Sequence, residues 1–143
     1  MQTNNTDTPL HDGHFIHITS DGDIITARQE GRLLANQLGF QTTEQTLIVT
    51  AISEVARNIL TYAQRGQIYL GCIHEDGKTG IVVIAEDNGP GIPDIEKAMQ
   101  DGYSTGKSLG LGLSGAKRLM DAFNISSQVG KGTTITMKKW LVK

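Results

Sequence analysis

A single cysteine, Cys72, in a chain of 143 residues excludes an intrachain disulfide framework. A reducing cytosol is the compartment that suits such a chain, and Cys72, inside Tyr69-Leu70-Gly71-Cys72-Ile73, reads as a small buried hydrophobe. No apolar run approaches the roughly 20 residues needed to span a bilayer. The segment Met1 to Asp12 is polar and has no charged-then-apolar layout of a signal peptide. A large excess of charge of one sign is also missing: the net charge is -2, so no basic surface advertises nucleic acid or acidic lipid. The expectation is a cytoplasmic protein with neither nucleic-acid nor membrane partners. Its length suits one domain with a real core.

The most informative stretch is Asp87-Asn88-Gly89-Pro90-Gly91-Ile92-Pro93, which follows the apolar run Gly80 to Ala85. Here a carboxylate ends a strand and is followed by two glycines and two prolines. Glycine permits positive φ and close approach of a ligand, and proline stiffens the loop. An acceptor-only carboxylate on such a loop suits an amino-bearing ring such as adenine. A plain turn between strand and helix explains the same residues, and the motif alone leaves both readings open.

Residues 1–11 are rich in Asn, Thr and Asp and read as a disordered tail, with residues 12–143 as a single domain. His11, His14 and His17 recur every three residues, but a strand at Phe15 to Thr19 alternates their faces and cannot converge them on one metal ion. They read as surface residues. A first helix is expected over Asp21 to Leu38, capped by Ser20 or Asp21 and stopped by Gly39. A second should open at Thr42, with Gln45 completing a capping box, and run to about Ala63 on a stripe of Ile48, Ile52, Val55 and Ile59. Glu54 and Asn58 stand four apart, about 40° apart around that helix, on its shoulder between core and solvent. They are either a solvated pair or two groups facing one pocket.

Strands are expected at Gln67 to Glu75 and Gly80 to Asp87, joined through Asp76-Gly77, and the second should be central and buried on both faces. A short helix from Asp94 to about Gln100 precedes a Gly-, Ser- and Thr-rich stretch, residues 101–110, that reads as a mobile loop. A helix follows Gly110-Leu111-Gly112 and ends near Phe123; strands at Ile125 to Val129 and Thr133 to Leu141 close the chain. The order predicts an α+β fold, a two-layer sandwich with one mostly antiparallel sheet covered by helices.

Two glycine motifs do not hold. Gly110 to Gly115 spells G-x-G-x-x-G, but a polar loop precedes it and no acidic residue stands about 20 positions on. Gly102 to Ser108 nearly spells a P-loop, but has three intervening residues where four are needed and no preceding strand. What remains is a glycine-rich loop leading into a helix, whose free N–H groups suit phosphate oxygens.

Ser53-Glu54-Val55-Ala56-Arg57-Asn58, Asp87 to Ile92, Gly110-Leu-Gly-Leu and Gly130-Lys-Gly-Thr133 stand in the order of the N box, two glycine boxes and closing G-x-G-T element of the GHKL ATPases. The chain resembles that superfamily over about Ile48 to Thr133, and is most similar to its free-standing anti-sigma-factor type serine/threonine kinases, in particular the switch kinases of bacterial stressosomes. Its length is expected to hold one ATP-binding domain with no further module. The resemblance implies a mixed, mostly antiparallel Bergerat ATP-binding fold and use of ATP with Mg²⁺. It implies phosphorylation of serine or threonine on STAS-domain partners, and a switch of partners that controls a downstream phosphatase or other regulator. The alternative within the same superfamily is a module that sequesters a partner, with ATP as a structural ligand. Carried over by position, Glu54 would be the catalytic base and Asn58 the Mg²⁺ ligand. Asp87 would bind the adenine amino group, Thr133 would lie near the ring, and Gly89, Gly91 and Ile92 would shape the base pocket. Gly110, Leu111 and Gly112 would meet phosphates, with Lys107 a further phosphate contact from the lid.

Overall fold

The structure, a computed structural model, describes residues 13–100 and 112–142. The tail expected at 1–11, the loop expected at 101–110, and with them Lys107, Gly110 and Leu111, lie outside the described residues. The elements run β1 (His14–Ile18), α1 (Asp21–Leu38), α2 (Thr42–Tyr62), β2 (Gly66–Glu75), β3 (Lys78–Asp87), α3 (Ile95–Ala98), α4 (Gly112–Leu119), β4 (Ala122–Gln128) and β5 (Gly132–Trp140). The five strands form one sheet in the order β1-β2-β3-β5-β4. Every pairing is antiparallel, so among the described residues the sheet is not mixed.

The helices cover one face, and their stripes interlock with the inward residues of the strands. Ile24, Ala27 and Ala35 of α1, Ile48, Ile52, Val55 and Ile59 of α2, and Leu113 and Ala116 of α4 share a core with Ile68, Leu70, Val83, Ala85, Ile135 and Met137 of the sheet. Gly31 belongs to the stripe of α1 for a steric reason: a Cβ there would collide with the δ-methyl of Ile52, so its absence lets α1 and α2 pack closely. On the other sheet face Tyr69, Ile73 and Val82 form a second buried cluster, which makes β3 the central strand, buried on both faces. Cys72 is half-buried, with its thiol 3.6 Å from Nε2 of His74.

Local chemistry sets the ends of the elements. Asp23 accepts from the N–H groups of Thr19 and Ser20 at 2.8 and 3.1 Å, which fixes the start of α1. The Thr19 N–H is the largest of the contacts that hold the Asp23 carboxyl below its ordinary value. Gly39 ends α1 with φ 103°, its N–H meeting the Ala35 and Asn36 carbonyls. The capping box expected at Thr42 does not form. Gln41 is the N-cap, and Gln45, 7 % exposed, turns its amide to the Phe40 carbonyl at 2.8 Å and Asn36 at 3.2 Å, tying α2 back to α1. Strands β2 and β3 run closer together than expected, leaving a two-residue turn with φ 51° at Asp76 and 77° at Gly77. Helix α4 stops at Leu119, earlier than its apolar spacing suggests, because Phe123 pairs with Met137 in the sheet. The Lys139 ammonium donates to the Leu119 carbonyl at 3.0 Å and closes that helix end.

Candidate functional site

Strand β3 delivers Asp87 to the end of the sheet, where it pairs with Thr133 of β5, which in turn pairs with Ser127 of β4. Side chains alternate along a strand, so this row shares a face with the buried row Ala85 and Ile135 two residues away. Three polar side chains thus end an apolar face on the helical side. Thr133 is 5 % exposed. The Ser127 hydroxyl accepts from the Ile92 N–H at 2.7 Å, lies 2.8 Å from the Thr133 hydroxyl and 3.2 Å from the Gly132 carbonyl oxygen. Oδ1 of Asp87 accepts from the Gly89 N–H at 2.8 Å, and no donor meets its other oxygen among the described residues.

The glycines of this loop have a different cause from the one the sequence suggests. A Cβ on Gly89 would collide with Ala63 at the end of α2, and one on Gly91 with the Gln128 carbonyl. A Cβ on Gly132 would strike the Asp87 carbonyl. Gly91 and Gly132 also have φ 82° and 126°. The protein itself occupies these spaces. The glycines let the 87–92 loop seat between the end of α2 and the β4–β5 turn, and the Gly130 N–H donates to the Pro90 carbonyl at 2.8 Å to hold it there.

The second group lies on α2 where it packs against α4. Glu54 is 6 % exposed, which removes the solvated-pair reading for it. Its carboxylate accepts from the Gly112 N–H and faces the Arg57 guanidinium. Burial pushes the Glu54 carboxyl above its ordinary value, and the Arg57 charge and the Gly112 N–H oppose that shift without cancelling it. Asn58 is half-buried one turn on, with no side-chain hydrogen bond among the described residues. Nε of Arg57 is buried and has no hydrogen-bond partner among the described residues.

The sequence profile of the histidine kinase-, DNA gyrase B-, and HSP90-like ATPases matches residues 43–143. The chain belongs to this ATPase family. It is 52% identical over 132 residues to the serine/threonine-protein kinase RsbT of Bacillus subtilis (strain 168), a match covering 92% of this chain and 99% of that protein. It is 36% identical over 110 residues to the anti-sigma F factor of Geobacillus stearothermophilus, covering 72% and 74% of the two chains. Among solved structures, a mycobacterial sensor histidine kinase, MprB, aligns with TM-score 0.53 at 15% identity, over 89% of this chain and 96% of the other. The catalytic domain of the histidine kinase ThkA aligns with TM-score 0.52 at 15% identity, over 89% and 95%. These two share the ATPase fold.

Of the residues expected to form the site, Asp87, Gly89, Gly91, Ile92 and Thr133 come together at the sheet end, and Glu54 meets Gly112. The two groups stand along one helix, since α2 carries Glu54 in its middle and meets the loop at Ala63. A cleft of about 790 Å³ at this end touches Asp87 and Asn88 but is otherwise walled by residues such as His17, Gln67 and Glu86. It opens on the far face of the sheet and includes none of Glu54, Asn58 or Thr133, so it is not the site expected from the sequence. Sequence reasoning missed two residues. Ser127 is reached by counting back across the Gly130 turn, which pairs it with Thr133. Arg57 stood in the N-box resemblance with no site role of its own, and its buried Nε, without a partner among the described residues, brings it forward.

The donor set fits a magnesium nucleotide. An open carboxylate oxygen suits an exocyclic amine, an uncommitted amide oxygen suits Mg²⁺, and a buried guanidinium N–H in want of an acceptor suits a phosphate. No helix among the described residues is long and apolar enough to cross a membrane.

Proposed function

We propose that this ATPase-family chain is an ATP- and Mg²⁺-dependent serine/threonine kinase that phosphorylates STAS-domain partners in a cytoplasmic partner-switching pathway. In that pathway the kinase changes partners and so controls a downstream phosphatase or another regulator. The 52% identity to a serine/threonine kinase over nearly its full length supports the class of reaction. Glu54 is the observation that carries the chemistry, because it is a buried carboxyl, raised above its ordinary value, on the helix that also bears Asn58. A raised carboxyl is the stronger base once ionised, which suits acceptance of a hydroxyl proton near neutral pH.

Asp87 and Thr133 receive the base. Nine residues of α2, a rise of roughly 13 Å, separate the Ala63 end from Glu54, and the triphosphate would span that distance. Asn58 would hold the Mg²⁺, which when bound would neutralise charge on the transferred group. The partner's hydroxyl oxygen forms a bond to the γ-phosphorus while the bond from that phosphorus to the β–γ bridging oxygen breaks. ADP leaves, and the hydroxyl proton goes to the Glu54 carboxylate. Glu54 also holds the Gly112 N–H, so the base is tied to the first turn of α4, where phosphate would arrive.

The test is transfer of labelled γ-phosphate from ATP to STAS proteins encoded beside this gene. Transfer should occur and should fall at least ~10²-fold in Glu54→Gln and Asn58→Ala. Tight, nucleotide-dependent partner binding without transfer would overturn the kinase reading in favour of sequestration.

A further inference from the structure

We infer that Ser127 is a positioning residue for base recognition, one that directs the proton of the Thr133 hydroxyl toward the ligand. The inference rests on the nucleotide reading above. A serine hydroxyl has one proton and two lone pairs. At Ser127 one lone pair is taken by the Ile92 N–H at 2.7 Å, leaving one proton for two competing acceptors. The Gly132 carbonyl, at 3.2 Å, can only accept; the Thr133 hydroxyl, at 2.8 Å, can accept or donate.

The two arrangements differ at Thr133. If Ser127 donates to Gly132, Thr133 must spend its own proton on Ser127 and shows the site only lone pairs. If Ser127 donates to Thr133, the Thr133 proton is released to the ligand. The 2.8 Å contact is the usual O–H···O length, and the carbonyl contact is long for one. The second arrangement therefore wins. Next to Thr133 in the same row, the Asp87 carboxylate can only accept. Ser127 thus makes the pair an acceptor beside a donor, which complements an adenine edge with its amino group beside a ring nitrogen. A hypoxanthine edge, with a carbonyl oxygen beside an N–H, presents the opposite order.

A double-mutant cycle on the full chain tests this, reading Kd for ATP and for inosine triphosphate by calorimetry. Thr133→Val should weaken ATP binding about tenfold, one lost buried hydrogen bond; Ser127→Ala should weaken it less, because Thr133 keeps a proton it can still turn to the base, and the double variant should be little worse than Thr133→Val. The preference for ATP over inosine triphosphate should narrow in Ser127→Ala. Loss of the Ile92 anchor is common to both Thr133 backgrounds and drops out of the coupling. Should Ser127→Ala not fold, Ser127→Cys, nearly isosteric with a weak thiol donor, takes its place in the cycle. Additive losses, or equal losses for both nucleotides, make Ser127 a plain loop anchor and overturn this inference alone. A wild-type chain that binds neither nucleotide overturns the nucleotide reading along with it.

Discussion

In the proposed kinase reaction Glu54 is under two opposed demands, because burial disfavours its charge and proton transfer would require it. A carboxyl whose folded pKa lies above its unfolded value adds stability only below the unfolded value, and loses that contribution as pH rises through the folded one. Ionised Glu54 is therefore a net cost near neutrality. Glu54→Gln should melt at a higher temperature than the wild type at pH 7.5, and the advantage should shrink as pH falls toward 4.5, the ordinary carboxyl value. Thermal unfolding across that range checks it; an unchanged or lower melting temperature at pH 7.5 would contradict the burial argument. Arg57 works in the other direction, since its charge holds Glu54 down. Arg57→Met should move the acid limb of the kcat/KM profile for phosphoryl transfer to higher pH, and a limb that stays in place would remove Arg57 from the electrostatics of the site. The spacing of Glu54 and Asn58 was legible in the sequence. The burial of Glu54 was not, because the covering helix α4 comes from a segment nearly sixty residues later in the chain.

At the scale of elements, the helices and strands follow from periodicity, and the errors arise where distant partners intervene. The spacing of Leu119, Met120 and Phe123 continues a helix, but cross-strand pairing with Met137 claims Phe123 for β4. Gln45 has the spacing of a capping box, but the α1–α2 connection offers it the Phe40 carbonyl in a buried setting. The glycines teach the same lesson. Gly39 has φ 103° with open space around its Cβ direction, whereas Gly132 has φ 126° and the Asp87 carbonyl in the way. Gly39→Ala should cost about 1 kcal/mol of backbone strain. Gly132→Ala adds a backbone collision and should cost more than about 3 kcal/mol. Urea denaturation of the two variants separates these, and similar losses would show that the β4–β5 turn yields more easily than its packing implies.

For the whole molecule, the antiparallel sheet and its one covering layer place the two halves of the site by topology. The central strand β3 ends in the row proposed to recognise the base, and α2, laid across the inner face, brings the Glu54 and Asn58 turn to the start of α4. The order of the motifs along the chain was enough to name the fold, because each motif sits at an element end that this topology gathers together. The row itself was not legible, since Ser127 enters it only through strand register. The proposed labour is split between the halves: Asp87 would bind, and Glu54 would react. The most direct measurement is ATP affinity beside phosphoryl transfer in Asp87→Asn and Glu54→Gln. Asp87→Asn should weaken ATP binding by at least about tenfold through loss of a charge-assisted hydrogen bond. Glu54→Gln should bind ATP at least as well as the wild type and transfer almost no phosphate. Unchanged ATP affinity in Asp87→Asn, or full transfer by Glu54→Gln, would contradict it.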